Sequence, residues 1–469
     1  MQRDLRARRP LRQLLFGDRA FYAMVLAIVM PIIIQNAITN FVNLLDNVMV
    51  GQVGTEQMSG VSIANQLLFV FNLCVFGGIS GAGIFSAQFF GADNQEGVRH
   101  CFRYKLYVCA LLIAVSLAVF LLGGRFLITR FLHDESGTGR VEVTLEHGMR
   151  YLHIMLFGLL PFALTQVYAG TLRETGETKL PMYAGIAAVF VNLIFNYLLI
   201  FGHLGFPKLG VAGAAIATVL SRYVELTIVV AYTHRHSERY RFVKGVYRSF
   251  HVPARLVKDI TVKGLPLLIN EGLWSMGMTL LAQCYSVRGL DVVAAMNISN
   301  TISNLFAVTF LSMGSATAII VGQSLGASDM EGAKIQAWRL LTFSIAISLC
   351  TLLVMNLVAP LIPRVYQTSD AVRTLATQFL RVYAFCMPLF SFCNSAYFTL
   401  RSGGKTLITF LFDSGYTWAI AVPFAWCLVH LTALPVILIY LLVQMADILK
   451  CVLGFILLKR GVWLNNMVE

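Results

Sequence analysis

Twelve apolar stretches divide this sequence from one end to the other. Each is about 20 to 25 residues long, and at about 1.5 Å per residue a helix of that length spans the roughly 30 Å hydrocarbon core of a bilayer. Inside lipid the backbone must satisfy its own hydrogen bonds, which a helix does within one segment. We therefore predict an all-α integral membrane protein with twelve transmembrane helices. They lie near residues 21–45, 59–85, 104–128, 149–172, 180–202, 210–234, 264–288, 291–322, 336–360, 377–400, 407–432 and 434–458.

The balance of residue types agrees with a membrane protein. Hydrophobic residues make up 57% of the chain and charged residues only 13%, whereas soluble domains carry about 25% charged residues. The nine cysteines show neither a CxxC motif nor a Cys/His metal spacing. We expect no cofactor and no enzyme activity.

The Lys and Arg residues lie in segments that twelve crossings place on one side of the membrane. They occur in the first 20 residues, in the longest linker (235–263) and in Lys459 and Arg460 near the chain end. Because basic segments stay on the cytoplasmic side, both termini are expected to be cytoplasmic. The net charge of +13 is then a topology signal, and we expect no nucleic-acid partner.

An internal repeat relates the two halves of the chain. The segment AQFFGADNQEGV (87–98) aligns with GQSLGASDMEGA (322–333) at an offset of 235, which also pairs Pro31 with Pro266. Two matched six-helix halves that enter the membrane in the same direction are typical of parallel-repeat transporters, which work by alternating access. The predicted parts are a basic N-terminus (1–20), an N-lobe (21–234), a basic linker (235–263), a C-lobe (264–458) and a cytoplasmic tail (459–469).

A second repeated phrase ends in GGKT and resembles a phosphate-binding loop. LRETGETK begins at Leu172 and LRSGGKT at Leu400. A phosphate loop requires a glycine five residues before its second glycine, and here that position is Thr399, with no strand before it. We interpret the phrase as a turn between the fourth and fifth helices of each half.

Acidic side chains at membrane depth are costly and therefore candidates for function. Asp46 and Glu271 have no basic residue three or four positions away, and such acids can carry a coupling proton or hold Na⁺. Asn192 and Asn196 share one face of the fifth helix, and with Thr218 they would complete an oxygen-rich pocket around Asp46. For Asp46, helix capping or plain exposure stays open; for the two amides, an ordinary contact between helices stays open.

Other charges within the predicted helices are secondary candidates. Asp447 and Lys450 lie three residues apart on the twelfth helix, where they can pair, and Asp413 lies in the eleventh. Arg222 and Glu225 have the same spacing on the sixth helix. Neutralisation of a structural face is the competing interpretation of both i,i+3 pairs.

The combined motifs resemble a known family. VNLLDNVMVG at the end of helix one, the GA(D/S)xxEG loops, the LRxxGxTK turn and NLIFNYLLIFG look like the multidrug and toxic compound extrusion (MATE) transporters, in their NorM-like or DinF-like bacterial branch. The resemblance implies export of organic cations and other xenobiotics, driven by Na⁺ or H⁺, by a monomer among the lipids of a bacterial inner membrane.

Several site residues match the family pattern. The helix-one aspartate of the family's N-lobe ion site matches Asp46, the polar positions of helix five match Asn192 and Asn196, and a helix-six threonine matches Thr218. Glu271 is similar to a helix-seven glutamate of NorM-like members. Their helix-ten aspartate is missing here, where the segment has Asn394 instead.

Other classes of protein remain as alternatives. A flippase for lipid-linked saccharides belongs to the same superfamily, but would show a more charged cleft and often extra helices. A membrane-embedded transferase requires paired acidic motifs such as DDxxD, and the sequence has none. For a channel or a receptor the repeat gives no positive reason.

Overall fold

The computed structural model describes residues 15–131, 140–366 and 368–469. Every regular element in these ranges is a helix, so the predicted all-α fold is confirmed. Part of the topology prediction depends on Arg3, Arg6, Arg8, Arg9 and Arg12, which lie outside the described residues.

Twelve helical segments follow one another along the described chain. They are α1 (Arg19–Gly51), α2 (Thr55–Gly91), α3 (Gln95–Phe131), α4 (Arg140–Leu156 and Leu159–Glu174), α5 (Lys179–Phe201), α6 (Val211–Arg235), α7 (Ala254–Ser286), α8 (Leu290–Gly326), α9 (Met330–Val358), α10 (Asp370–Ser402), α11 (Thr406–Leu431) and α12 (Val436–Arg460). Ten of these described segments are long and apolar enough to cross a membrane alone. The pieces of α4 form an eleventh, bent by 48°. In α7 the apolar stretch follows first turns that carry Arg255, Lys258 and Lys263.

The internal repeat is visible in the turns that lead into α3 and α9. Asp93 and Ser328, 235 positions apart, both have positive φ angles, of 55° and 57°. The next residues, Asn94 and Asp329, each accept a hydrogen bond at 2.8 Å from the backbone N–H three positions further on. Such a bond satisfies an N–H that the first turn of a helix leaves free. The two halves therefore begin their third helices through the same turn.

The chain divides into two units, each with its own hydrophobic core. The first contains the described residues up to Ile33, Gly91–Asp93 and Leu273–Glu469, and the second contains Ile34–Phe90 and Asn94–Gly272. Both α1 and α7 therefore change unit along their length. The core of the second unit is continuous from α1 to the linker after α6, whereas the first unit contains two core clusters. The lobe boundaries given above from the sequence stay a prediction.

Residues 241–251 of the linker, called the strap below, are bound to the second unit by α3. The Arg103 guanidinium donates to the carbonyls of Val246 at 2.9 Å and His251 at 3.2 Å. Tyr107 donates to the carbonyl of Phe250 at 2.6 Å. A charged donor forms stronger hydrogen bonds than a neutral one, so we infer that Arg103 fixes the strap.

Candidate functional site

Four polar side chains from three helices meet inside the second unit. Asp46 comes from α1, Asn192 and Asn196 from α5, and Thr218 from α6. The Asn196 amide donates to Asp46 Oδ1 at 2.6 Å and to Asn192 Oδ1 at 3.0 Å. Asn196 is only 1% exposed and Asp46 is half-buried. The structure thus brings four of the predicted site residues into one hydrogen-bonded group.

Close packing of α5 on α6 brings Thr218 to Asn192. A Cβ atom at Gly213 would lie 2.5 Å from the carbonyl oxygen of Leu199, so only glycine fits there. Ala214 and Ala217, which follow on α6, are also buried. Small residues let the backbones of membrane helices approach closely, and this stretch of α6 is the local reason for the short distance between the two side chains.

The single hydroxyl hydrogen of Thr218 links the orientation of the Asn192 amide to the surroundings of Asp46. In one arrangement Thr218 donates to the Ala214 carbonyl at 3.0 Å and accepts from Asn192 Nδ2 at 3.3 Å. With the amide turned over, Asn192 Nδ2 donates to Asp46 Oδ1 at 2.9 Å, and its oxygen accepts from Thr218 at 3.3 Å. A hydroxyl donates only one hydrogen bond, so Thr218 then no longer donates to the Ala214 carbonyl.

The two arrangements suit different states of the Asp46 carboxylate. In the first, only one of the two amides donates to Asp46; in the second, both do, but the hydrogen bond from Asn196 to Asn192 is lost and the two amide nitrogens lie 3.0 Å apart. Two donors stabilise a negative charge better than one. Among the described residues, Asn196 Oδ1 is buried without a hydrogen-bond donor. The group therefore includes amide and hydroxyl oxygens that a bound cation can use.

Glu271 is not among the side chains that these hydrogen bonds join. It lies on α7, half-buried, and a Cβ atom at Gly77 of α2 would lie 3.3 Å from its Cγ. Its side chain therefore packs against α2. A role for Glu271 in ion coupling stays a prediction.

The three secondary candidates lie in the first unit. Asp413 of α11 accepts from Lys450 of α12 at 2.6 Å, and both side chains are largely buried. Asp447 begins the second part of α12 after an interruption at Ala446. The Asn394 amide of α10 donates to the carbonyl of Phe310 at 2.7 Å, which holds α10 against α8.

Two ion pairs were not predicted from the sequence. Lys450 forms its short contact with Asp413, 37 residues away, whereas spacing suggested the neighbouring Asp447. Lys105 of α3 is fully buried and donates to Glu174 of α4 at 2.5 Å. A lysine inside an apolar stretch was the available signal for Lys105, but sequence spacing does not reveal a partner 69 positions away.

Comparison with known proteins agrees with this architecture. The MatE family model matches residues 31–198 and 266–427, so its second match begins 235 residues after its first, at the offset of the internal repeat. A probable multidrug resistance protein NorM of Thermotoga maritima is 27% identical over 410 residues, covering 85% of this chain and 84% of its own. The multidrug resistance protein MdtK of Pectobacterium atrosepticum is 24% identical over 394 residues, covering 80% and 84%.

The fold is also similar to that of solved structures. A crystal structure of MATE in complex with MaL6 superimposes with a TM-score of 0.84 at 22% identity, covering 96% of this chain and 98% of that one. Most of the sequence thus lies within the two family matches, and nearly all of the fold is shared. This chain belongs to the MatE family of multi-pass membrane transporters.

Proposed function

We propose that this protein is a secondary active multidrug exporter that antiports organic cations or other xenobiotics against Na⁺ or H⁺. Its relatives NorM and MdtK are named multidrug resistance proteins, and each is aligned over more than four fifths of its length. Two repeated halves of six helices are the architecture that alternating access uses.

The observation that carries the proposal is the hydrogen-bonded group around Asp46. A carboxylate at membrane depth is costly unless it is compensated, and here its described hydrogen-bond partners are neutral amides. Amides orient the carboxylate without cancelling its charge. Asp46 is therefore suited to take up one monovalent cation and to release it later in the cycle.

The amide of Asn192 is the switch in this mechanism. When Asp46 is charged and holds no cation, both amides donate to it. When a cation binds, Asn192 turns its oxygen inward and Thr218 returns to the Ala214 carbonyl. Binding thus rearranges contacts among α1, α5 and α6, and so couples the ion to the positions of these helices.

Na⁺ and H⁺ make different demands on the site. Na⁺ is bound through several oxygen atoms, here the Asp46 carboxylate, the amide oxygens of Asn192 and Asn196 and the Thr218 hydroxyl. A proton needs the carboxylate alone. Replacing Thr218 by Val therefore distinguishes the ions, since it removes one oxygen and leaves Asp46 in place.

The proposal is tested by efflux of a cationic dye from everted membrane vesicles under separately imposed Na⁺ and H⁺ gradients. We expect Asp46→Asn to abolish gradient-driven efflux, while Asp259→Asn, the same change at an exposed position of α7, leaves it unchanged. Thr218→Val lowers efflux at least tenfold under a Na⁺ gradient if Na⁺ is the ion; if the ion is H⁺ the loss is smaller, because the Asn192 amide loses a hydrogen-bond partner but the ion loses no ligand. Efflux that requires neither gradient refutes antiport.

The orientation in the membrane is part of the same proposal. The exposed basic residues of the linker, such as Arg241, Lys244 and Arg248, are assigned to the cytoplasmic side. Both termini are then cytoplasmic, and in a bacterium the protein lies in the inner membrane. Cysteines introduced at positions 241 and 248 should react with an impermeant maleimide in everted vesicles and not in intact cells.

A further inference from the structure

Two thiols from different helices lie against each other inside the first unit. Cys393 of α10 and Cys451 of α12 have their Sγ atoms 3.4 Å apart. Cys393 is only 6% exposed, whereas Cys451 is partly exposed. All nine cysteines of the described chain are free. The fold thus places two free sulfur atoms together from positions 58 residues apart in the sequence.

The two cysteines lie level with one another on their helices. Cys393 Sγ is 4.0 Å from the carbonyl oxygen of Asp447, and Cys451 Sγ is 3.7 Å from that of Leu389. Each sulfur atom therefore lies near the carbonyl group four positions before the other cysteine. This reciprocal pattern means that α10 and α12 run in the same direction where the thiols meet.

The backbones of α10 and α12 approach closely three positions after the cysteines. A Cβ atom at Gly454 would lie 3.3 Å from the Cβ atom of Ala396. Disulfides join Cβ atoms that are about 3.5–4.5 Å apart, with a bond about 2.0 Å long. The two helices thus pass at a distance that a disulfide can bridge, and the sulfur atoms, now 3.4 Å apart, need to approach by about 1.4 Å.

Both helices are irregular five positions before the cysteine. Pro388 lies inside α10, where a proline removes a backbone hydrogen bond and favours a kink. On α12 the regular helix stops at Met445 and resumes at Asp447, with Ala446 between them. A covalent bond placed just after these two points would join the following parts of α10 and α12.

We propose that Cys393 and Cys451 form a reversible disulfide when the protein meets a hydroperoxide. Cys451, the more exposed thiol, attacks the peroxide: the O–O bond breaks, one oxygen stays on sulfur as a sulfenic acid, and the other leaves as an alcohol, or as water from hydrogen peroxide. Cys393 then attacks that sulfur, so that the S–S bond forms and water leaves. The two thiols together lose two electrons, and the peroxide gains them.

The modification is reversible by a small thiol. Two molecules of that thiol reduce the bond by exchange and are themselves joined as a disulfide, so both cysteines regain their hydrogens. While the bond exists, it clamps α10 to α12. An effect of the clamp on transport rests on the exporter proposed above, because alternating access requires helices to move. Formation of the disulfide does not depend on transport.

The test is mass spectrometry of the purified protein after treatment with hydrogen peroxide. Remaining thiols are blocked with N-ethylmaleimide, and the protein is digested without a reductant. We expect peptides joined through Cys393 and Cys451 to increase at least tenfold over untreated protein, and to disappear after dithiothreitol. This measurement uses wild type, so it does not depend on whether a variant folds.

Three variants test the order of the steps. Cys393→Ser removes the second thiol, so the sulfenic acid on Cys451 should persist and react with dimedone at least tenfold more than in wild type. Cys451→Ser should leave Cys393 without dimedone label, because Cys393 is the buried thiol. Cys350→Ser, at an exposed cysteine of α9, is the control and should leave the joined peptides unchanged.

Two results would overturn the disulfide. One is the absence of joined peptides in wild type while Cys350 is oxidised in the same sample. The other is joining of Cys350 to either cysteine as often as Cys393 is joined to Cys451.

The clamp is tested separately by dye efflux from everted vesicles. Hydrogen peroxide should lower efflux by wild type at least fivefold, dithiothreitol should restore it, and Cys451→Ser should be unaffected by either reagent. Undiminished efflux by protein that carries the joined peptides would refute the clamp. Failure of the antiport test in protein that still forms the joined peptides would refute the exporter and leave the disulfide in place.

Discussion

Removing Glu174 should destabilise the protein much more than removing Lys105, although the two form one ion pair. Lys105 is 0% exposed, and its ammonium is held by Glu174 at 2.5 Å and by the Thr171 hydroxyl at 3.0 Å. The Thr171 hydroxyl donates its hydrogen bond to the Val167 carbonyl, so the hydroxyl oxygen can accept one from the Lys105 ammonium. Glu174 is 17% exposed and can reach water.

The expected magnitudes follow from this difference in burial. Glu174→Gln leaves a fully buried ammonium with neutral acceptors only, and stranding a buried charge costs about 3–5 kcal/mol. We take about 3 kcal/mol, because the Gln oxygen still accepts one hydrogen bond. Lys105→Met leaves a carboxylate that reaches solvent, at a cost of about 1 kcal/mol. The double variant leaves no stranded charge and should lie within about 1 kcal/mol of wild type.

The assay is thermal unfolding of the purified protein in detergent, with all variants in the same detergent. At roughly 2 °C per kcal/mol for a chain of this size, Glu174→Gln should lower Tm by about 6 °C. Glu142→Gln is the matched control, because Glu142 pairs with Arg125 at 3.0 Å with both side chains more than 70% exposed, and exposed pairs contribute little. If the double variant is as unstable as Glu174→Gln, the stranded-charge explanation is wrong.

Two other predictions concern helix packing and the strap. Gly213→Ala places a Cβ atom 2.5 Å from the Leu199 carbonyl oxygen. It should lower the free energy of unfolding by about 1–3 kcal/mol, measured by thermal unfolding, and weaken ion-coupled dye efflux. Gly272→Ala, where a Cβ meets nothing within 4 Å, should change neither. Arg103→Ala releases the strap and should speed its cleavage by trypsin at least tenfold, whereas Arg248→Ala, at an exposed arginine, should remove only its own cleavage site.

The sequence determined the fold more completely than the site. Apolar length predicts each helix separately, because every membrane segment must satisfy its own backbone. The offset of 235 predicts the repeat, and the paired φ angles of Asp93 and Ser328 show it in three dimensions. Even the bend in α4 and the π-helical turns in α11 lie within spans that apolarity identifies, although apolarity does not reveal them.

The spacing of residues along the sequence does not predict which side chains of distant helices are in contact. The facing of Asn192 and Asn196 follows from helical periodicity, but the bond from Asn196 to Asp46 joins residues 150 positions apart. The residue types suggested a shared pocket, and the family resemblance supported it, but neither specifies this bond. Lys450 shows the same limit, because spacing pointed to Asp447 and the fold added Asp413 on another helix.

The duplicated frame explains why the buried charges of the two halves differ. Arg222 and Glu225 on α6 lie 225 positions before Asp447 and Lys450 on α12, close to the repeat offset of 235, with the signs of both charges exchanged. In the first half Arg222 donates to the Gly158 carbonyl at 3.1 Å, and Glu225 interacts with Arg222 and with a further arginine of α4. In the second half Lys450 forms an ion pair with Asp413 of α11 at 2.6 Å.

A repeat therefore preserves the positions where charges are buried without preserving their sign. Glu225 lies within range of two arginines, and such a group suits a fixed support, since guanidinium stays charged in proteins. We infer that the halves have kept one scaffold and diverged in its chemistry, with amides around Asp46 in one half and an ion pair between Lys450 and Asp413 in the other.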